Sequence, residues 1–407
     1  MKGFKCILSI VSLLICATAW AGDTAQEDSL ADNVYDGITI SLLTCGPGEE
    51  VYTLYGHTAI RICDTSSQTD AVVNYGMFSF RQSFFVARFV LGMTDYMMGV
   101  TSFSNFADEY TYEGRWVYEQ VLNLRKEEKM AIIAAIEENS KPGNATYRYN
   151  CFYNNCTTRA RDILTENITG KVSYAPETWE TPSFRDMCHS KAEDHRWASF
   201  GNDLVLGVKA DLKTDRAEQQ FLPENLMRDF SQATITDSQG VTRKLVTEER
   251  YIISRETASE IRPQTEDGST AITPRMCAFL IAIILIGVTI YETRRRKTVW
   301  ALDAATLGAT GLAGVVLFVM IFSQHPTVSL NFQILILNPI SLIALYPMIK
   351  RESKGMTHWW HKGQTACLAT GIAGGLLQHY AEGILILALS LLVRNTAILM
   401  RNKKQLT

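Results

Sequence analysis

The sequence has little excess charge of either sign and no CxxC pair of cysteines. Its 39 Lys and Arg against 42 Asp and Glu give a formal net charge of −3. With no basic patch, this balance argues against a nucleic-acid binder. No CxxC pair and no Cys/His spacing typical of zinc is present. We therefore predict neither a bound metal nor another cofactor.

A mean hydropathy near zero conceals two unlike halves. The chain is polar and aromatic up to about residue 275 and mostly apolar beyond it. At 407 residues it is long enough for more than one domain. We predict an α+β exported domain followed by an α-helical membrane domain of about five spans.

The N-terminus has the features of a secretory signal. Lys2 and Lys5 precede an apolar run over 6–19, and Ala19-Trp20-Ala21 forms a small-x-small cleavage site. The predicted organisation is a signal peptide at 1–21, a linker at 22–36, an exported thiol catalytic domain at 37–232, a stalk at 233–274, a transmembrane domain at 275–400 and a cytoplasmic tail at 401–407.

Cleavage after Ala21 would leave the exported domain with an odd number of cysteines. They are Cys45, Cys63, Cys151, Cys156 and Cys188. In an oxidising compartment an odd number indicates one free, reactive thiol. The other four form two disulfides or none.

The segment 147–159 carries the strongest signal for chemistry. Its aromatic run predicts a strand, two asparagines predict a turn, and 157–164 predicts a helix. Cys156 then lies at a helix N-terminus, where free N–H groups, the helix dipole and nearby Arg159 favour a thiolate. Such a cysteine is a candidate nucleophile if a histidine reaches it, and His57 is the upstream candidate.

These residues leave other interpretations open. Cys156 is equally able to be a disulfide partner, with His57 an ordinary strand residue. His189 and His195 are rival bases, although both lie in a polar, charged run. Asn74 either orients His57 or caps a turn.

The remaining exported sequence predicts an alternation of strands and helices. Strands are expected over 37–43, 71–78 and 116–124, and a further strand is expected to begin at His57 within 52–61. A helix is expected over 126–139, a helix from Ser183, a loop and short apolar segment over 197–207, a helix after Phe221-Leu222-Pro223, and a hairpin over 233–246.

The apolar segment 83–100, which includes Phe89, has two interpretations. It lines an acyl-chain groove or dips into a bilayer surface, or it is a buried core helix.

The C-terminal half contains five apolar segments, near 276–291, 299–322, 332–349, 365–378 and 384–400. Basic residues follow the first, third and fifth, whereas the two other connections lack them. By the positive-inside rule the C-terminus is cytoplasmic and the large domain is outside. Arg394 lies within the last segment and is expected to snorkel to the cytoplasmic side.

Several short motifs together resemble a known family. They are Tyr55-Gly56-His57-Thr58, Asn74-Tyr75-Gly76, the 147–159 segment with Asn155-Cys156-Thr157-Thr158-Arg159, Phe184-Arg185-Asp186 and Phe221-Leu222-Pro223. A His segment followed by a Cys segment is similar to the circularly permuted NlpC/P60-type, papain-like thiol fold. The whole chain resembles the Lnb-type lipoprotein N-acyltransferases of diderm bacteria.

The resemblance implies a ping-pong acyl transfer at a bacterial inner membrane. Cys156 would carry an acyl group from a phospholipid to the α-amine of a diacylglyceryl-cysteine lipoprotein, with His57 as base and Asn74 assisting it. The implied substrate contacts come from Arg159, Tyr55, Tyr75, Phe89 and Asn155. The alternative function is a membrane-tethered cysteine peptidase or amidase acting on cell-wall peptides.

Overall fold

The structure is a computed structural model that describes residues 35–79, 81, 83–176, 181–262 and 272–403. The predicted signal peptide, most of the linker at 22–36 and most of the tail at 401–407 lie outside the described residues.

Strands and helices alternate through the first two thirds of the chain, and helices alone follow. The strands are β1 (Ile38–Cys45), β2 (His57–Asp64), β3 (Thr69–Met77), β4 (Asp95–Ser102), β5 (Val117–Leu122), β6 (Thr146–Arg148), β7 (Lys171–Ser173), β8 (Thr234–Thr236), β9 (Thr242–Lys244) and β10 (Val246–Ile253). The helices are α1 (Phe85–Val90), α2 (Phe103–Tyr112), α3 (Lys126–Ser140), α4 (Cys156–Glu166), α5 (Phe184–Lys191), α6 (Arg196–Val205), α7 (Arg216–Gln219), α8 (Pro223–Gln232), α9 (Arg255–Ile261), α10 (Pro274–Arg295), α11 (Trp300–Met320), α12 (Ile340–Glu352), α13 (Trp359–Gly374) and α14 (Ile384–Lys403).

The described chain divides into two compact units. The sheet unit takes its residues from Met1–Phe80, Asp95–Trp179 and Arg216–Pro263, and the helical unit from Arg81–Thr94, Glu180–Asp215 and Gln264–Thr407. The predicted class, an α+β domain followed by a helical membrane domain, is confirmed.

The sheet unit is built on a seven-stranded antiparallel sheet in the order β10-β5-β1-β2-β3-β4-β6. Alternate apolar residues of its strands, including Leu43, Ala59 and Val72, pack with Phe106 of α2 and Trp116 in one buried cluster. Burial of this period-two pattern fixes the register, because a slip of one residue would expose the whole set.

Part of the predicted stalk at 233–274 belongs to this sheet, so that prediction is wrong there. β10 pairs with β5, and Ile253 is buried in the core cluster. The polar appearance of β10 reflects its edge position, where one face and one side of the strand meet solvent. The predicted hairpin over 233–246 is confirmed as β8 and β9, which extend a small sheet with β7.

The segment 83–100 is not one helix. It forms the short helix α1, a turn at Gly92, and then β4, which pairs with β3 and β6. Gly92 has φ +67°, and a Cβ there would lie 3.1 Å from the backbone nitrogen of His325. The turn that ends the apolar helical pattern therefore depends on glycine.

The helical unit contains α5 and α6. The helix predicted from Ser183 corresponds to α5, whereas most of the loop predicted over 197–207 is the helix α6. Four of its segments are long and apolar enough to cross a membrane: Pro274–Arg295, Trp300–Met320, Phe332–Glu352 and Ile384–Arg401. The remaining predicted span, near 365–378, corresponds to α13, which has 16 residues and is shorter than the usual spanning length of about 20.

Arg394 does not snorkel, so that expectation is wrong. Its side chain is 2% exposed, and it donates to both carboxylate oxygens of Asp303 at 2.5 Å. It also donates to Glu292 at 3.3 and 3.4 Å and to Thr289 at 3.1 Å. The guanidinium therefore joins α14 to α10 and α11 through hydrogen-bonded ion pairs.

We predict that Arg394→Met lowers the free energy of unfolding by about 3–5 kcal/mol, because two buried carboxylates lose their common partner. The measurement is thermal unfolding of the detergent-solubilised chain. Arg401→Met is the matched control. Arg401 pairs with Glu292 at 3.0 Å but is 21% exposed, so its loss should cost at most about 1 kcal/mol. Equal costs for the two variants would contradict a structural role for the Arg394 network.

Candidate active site

Cys156 is the first residue of α4, as the sequence predicted. The helix lies against β2 and β3 of the sheet unit, and Thr58 of β2 donates a hydrogen bond to the Thr157 hydroxyl at 3.1 Å. This contact ties the first turn of α4 to the strand that carries His57. The N-terminal end of the helix, where the dipole favours an anion, thus carries the thiol.

Asn155 is the N-cap of α4, and all its polar atoms are used within the chain. Its Oδ1 accepts from the N–H groups of Thr157 and Thr158, both at 2.9 Å. Its Nδ2 donates to the carbonyls of Cys151 and Phe221, both at 2.9 Å. This geometry contradicts its assignment as a substrate contact, because no donor or acceptor remains for a ligand. Asn155 instead positions Cys156.

His57 begins β2 and lies opposite Cys45 in the β1–β2 ladder. Asn74 lies on the neighbouring strand β3, where its ladder partner is Ala59. The His57 Nε2 donates to the Asn74 Oδ1 at 3.0 Å, which leaves Nδ1 for the hydrogen bond that His57 makes with Cys156. The three predicted residues are therefore brought together in the order Cys156, His57, Asn74.

Gly76 makes room for the thiol. The ladder between β3 and β4 is irregular from Asn74 to Met77, and Gly76 has φ +85°. A Cβ at Gly76 would lie 3.3 Å from the Cβ of Cys156. An irregular strand with a left-handed glycine thus lets the backbone approach the nucleophile, and any side chain there would be strained.

The pKa of the Cys156 thiol is lowered to about 7. Burial raises it, but the charge and hydrogen bond of His57, the Thr58 N–H and the Thr157 hydroxyl together outweigh burial. Burial opposes protonation of His57, yet the Cys156 charge and hydrogen bonds with Cys156 and Asn74 raise the His57 pKa above its ordinary value. The pair therefore favours thiolate and imidazolium near neutral pH.

Cys45, Cys63 and Cys151 lack this activation. The seven cysteines in the described part of the chain are free thiols. Burial raises the pKa of Cys45 and of Cys151 to about 12, and raises that of Cys63 as well. Cys151, although five residues from Cys156, is thus held as a neutral thiol.

The Thr58 N–H and the Thr157 hydroxyl help to lower the pKa of Cys156, a role that the sequence did not suggest for either residue. Both lie within motifs that it singled out, next to His57 and Cys156 respectively. A rule that examines the immediate neighbours of a proposed nucleophile and base would have identified them.

An aromatic wall with a cation lies near the thiol. Tyr75 is 1% exposed, and its ring meets that of Tyr147 edge-on, with centroids 6.3 Å apart. The Arg159 guanidinium lies 4.2 Å above the Tyr147 ring, and its Nε donates to Asn154 at 2.7 Å. Stacking and one hydrogen bond orient Arg159, while its two terminal nitrogens make no hydrogen bond within the described residues.

The structure also describes the remaining predicted site residues. Tyr55 is half-buried in the turn before β2. Phe89 belongs to α1 of the helical unit, where its carbonyl accepts a hydrogen bond from His325 at 3.3 Å. The rival bases His189 and His195 also belong to the helical unit, and His189 is paired with Asp203 at 2.9 Å.

We predict that Asn74→Ala lowers the rate of the thiol chemistry roughly 10- to 100-fold. A hydrogen bond to a charged group contributes about 1.5–3 kcal/mol, and each 1.4 kcal/mol corresponds to about tenfold in rate. Asn74→Asp retains the acceptor and should recover most of the rate. Because Asn74 helps to raise the His57 pKa, the descending limb of the pH–rate profile should move to lower pH in Asn74→Ala. An unchanged rate and profile would exclude this positioning role.

Comparison with known proteins identifies both parts of the chain. Residues 25–185 match a family model described as the Lnb N-terminal periplasmic domain, and residues 265–406 match one described as the Lnb transmembrane domain. No curated protein and no solved structure gives a match. The two family matches occur in this order and together span about three quarters of the 407 residues. A periplasmic domain joined to membrane helices, with the thiol site in the first, agrees with both descriptions. The chain therefore belongs to the family of Lnb-type lipoprotein N-acyltransferases.

Proposed function

We propose that this protein transfers an acyl chain from a phospholipid to the α-amine of a diacylglyceryl-cysteine lipoprotein through a thioester on Cys156. The observation that carries the proposal is the hydrogen-bonded series Cys156–His57–Asn74 within a chain of this family. A thiol suits the role because a thioester forms from an ester and still reacts readily with an amine.

In the first half-reaction the Cys156 sulfur attacks the ester carbonyl carbon of the phospholipid. The S–C bond forms, the C–O bond to glycerol breaks, and the thiol proton held by His57 passes to the departing oxygen. The products are an acyl-enzyme and a lysophospholipid. The hydrogen bond from Nε2 to Asn74 keeps the imidazole oriented through both proton transfers.

The donor for the developing oxyanion is the backbone N–H of Cys156 itself. Asn155 already occupies the N–H groups of Thr157 and Thr158, and the Arg159 N–H donates to the Asn155 carbonyl at 3.1 Å. Among the described residues, the Cys156 N–H is the donor of this first turn that makes no hydrogen bond, and a helix N-terminus favours negative charge. Arg159, held by Tyr147 and Asn154, binds the donor phosphate through its two terminal nitrogens.

In the second half-reaction the lipoprotein α-amine attacks the thioester carbon. The N–C bond forms, the C–S bond breaks, and His57 takes the amine proton as Cys156 leaves as a thiolate. The neutral amine is the reactive species, so the imidazole acts here as a base. The membrane helices hold the site at the bilayer that supplies both lipid substrates, with the periplasmic domain outside and the C-terminus cytoplasmic.

The test uses full-length protein in phospholipid micelles with a synthetic diacylglyceryl-cysteinyl peptide. We expect the peptide to gain one acyl mass on its α-amine, with one lysophospholipid released per transfer. The same peptide with an acetylated α-amine is the matched substrate control and should gain no acyl group.

A second arm tests the peptidase or amidase alternative with a cell-wall peptide. Cleavage of that peptide, with the lipopeptide unchanged, would overturn the acyltransferase proposal in favour of this alternative. Acyl gain on the lipopeptide without peptide cleavage would support acyl transfer.

A further inference from the structure

A second cluster of chemically active side chains lies in the helical unit, apart from the thiol residues. It joins His189 of α5, Asp203 of α6 and His379 in the connection between α13 and α14. One ligand atom from each lies within 4.8 Å of the others. The His189 Nε2 is 2.9 Å from both carboxylate oxygens of Asp203, and the rings of His189 and His379 meet edge-on at 5.4 Å.

The carboxylate at the centre of this cluster is fixed from behind. Asp203 is 4% exposed, and Arg185 donates to its Oδ1 at 2.8 Å. Arg185 also donates to Asp211 at 2.7 Å, and Asp211 in turn accepts from the backbone N–H of His379 at 3.3 Å. These contacts hold the Asp203 carboxylate and the backbone of His379 in place, and they leave Asp203 Oδ2 free of Arg185 and next to His189.

The local charge is unbalanced toward the negative. Asp186 interacts electrostatically with His189 and His379, and Asp203 and Asp211 pair with Arg185, so these side chains comprise three carboxylates and one guanidinium. Two negative charges remain when the imidazoles are neutral. A divalent cation bound by neutral imidazoles would balance them.

We infer that His189, Asp203 and His379 form a binding site for a divalent transition-metal ion, with Zn²⁺ the best match to two imidazole nitrogens and one carboxylate oxygen. In tetrahedral coordination with bonds of about 2.0–2.2 Å, two ligand atoms of one ion lie roughly 3.3–3.6 Å apart. Binding would therefore draw the exposed His379 side chain inward by about an ångström. The ion would tie the connection between α13 and α14 to α5 and α6, with Arg185 orienting its carboxylate ligand.

The experiment titrates Zn²⁺ into chelator-treated, full-length protein in detergent, with a fluorescent zinc indicator as competitor. His379→Ala removes an exposed ligand, and His189→Ala removes a second one. His195→Ala is the control, because this histidine is the N-cap residue just before α6 in the same unit but is outside the cluster.

We expect one Zn²⁺ per wild-type chain, with affinity at least about 100-fold weaker in both ligand variants and unchanged in His195→Ala. Zn²⁺ should also raise the midpoint of thermal unfolding in the wild type and His195→Ala alone. As a folding control, the unfolding midpoint of each ligand variant without zinc should match that of the zinc-free wild type. Absence of stoichiometric binding to the wild type, or equal affinity in His379→Ala, would overturn the metal site. None of these measurements uses acyl transfer, so they are independent of the proposed function.

Discussion

Cys156→Ala is expected to lower acyl transfer by about 10⁴-fold or more. Loss of a catalytic nucleophile removes the covalent route entirely, and what remains comes from substrate binding and oxyanion stabilisation. The substitution deletes only the sulfur of a side chain at the start of α4, and the Asn155 cap of that helix stays intact. The loss should therefore appear in the rate of transfer, measured with the lipopeptide acceptor, and not in the thermal unfolding midpoint.

Cys151→Ala is the matched control, since it removes a thiol five residues away in the same segment. Burial raises the Cys151 pKa to about 12, so this thiol has almost no thiolate at neutral pH. The variant should keep its activity within a few-fold of wild type. If Cys151→Ala lost activity and Cys156→Ala retained it, our assignment of Cys156 as the nucleophile would be wrong.

His57→Gln is expected to lower the rate of thioester formation by about 10²–10⁴-fold, the usual contribution of a positioned acid–base residue. Glutamine keeps a polar side chain at the start of β2 but cannot accept and return a proton. The measurement is the rate of lysophospholipid release in single-turnover conditions. The matched variant is His195→Gln, which replaces a rival base outside the His189–Asp203–His379 cluster and should leave the rate unchanged. A large loss in His195→Gln, with little loss in His57→Gln, would contradict the assignment.

The same variant should alter the pH dependence. In the wild type the rate of thioester formation should rise as pH passes about 7, where the Cys156 thiolate forms. It should fall again when His57 loses its proton, at a pH above the ordinary value for histidine because the pKa of His57 is raised. Without His57, burial dominates and raises the Cys156 pKa, so the residual rate should increase further into the alkaline range. An identical profile in the two proteins would indicate that His57 does not titrate with Cys156.

Local signals are sufficient to predict where the candidate catalytic residues lie in the fold. Cys156 was placed at a helix start because an aromatic run and two asparagines precede a helical pattern, and the structure begins α4 at Cys156. His57 was placed where a second strand begins, and it is the first residue of β2. Strand signals and turn chemistry depend on adjacent residues, so they are visible in the sequence.

The role of Asn155 was not predicted correctly, because the identity of a cap depends on which donors and acceptors its amide meets. Its Nδ2 partners include the Phe221 carbonyl, 66 residues away. The helix interpretation of 83–100 is wrong for its second half, because apolar composition alone does not distinguish a helix from a strand. There β4 alternates the buried Tyr96 and Met98 with the exposed Met97, and it pairs with β3 and β6 inside the sheet.

Long-range polar pairs were the least predictable feature. Arg394 finds Asp303 and Glu292 at separations of 91 and 102 residues, and His189 and His379 lie on different elements of the helical unit. Each of these residues alone resembles a solvated or snorkelling charge. Their meeting depends on how the helices pack, which the periodicity of one segment does not encode.

The most direct test of a Cys156 acyl carrier is the intact mass of the purified protein after incubation with phospholipid and no acceptor. The account predicts a gain of one acyl mass on the wild type and on Cys151→Ala. Hydroxylamine should release it, and Cys156→Ala should lack it. No adduct on the wild type under conditions in which lysophospholipid is released, or an equal adduct on Cys156→Ala, would contradict the thioester mechanism.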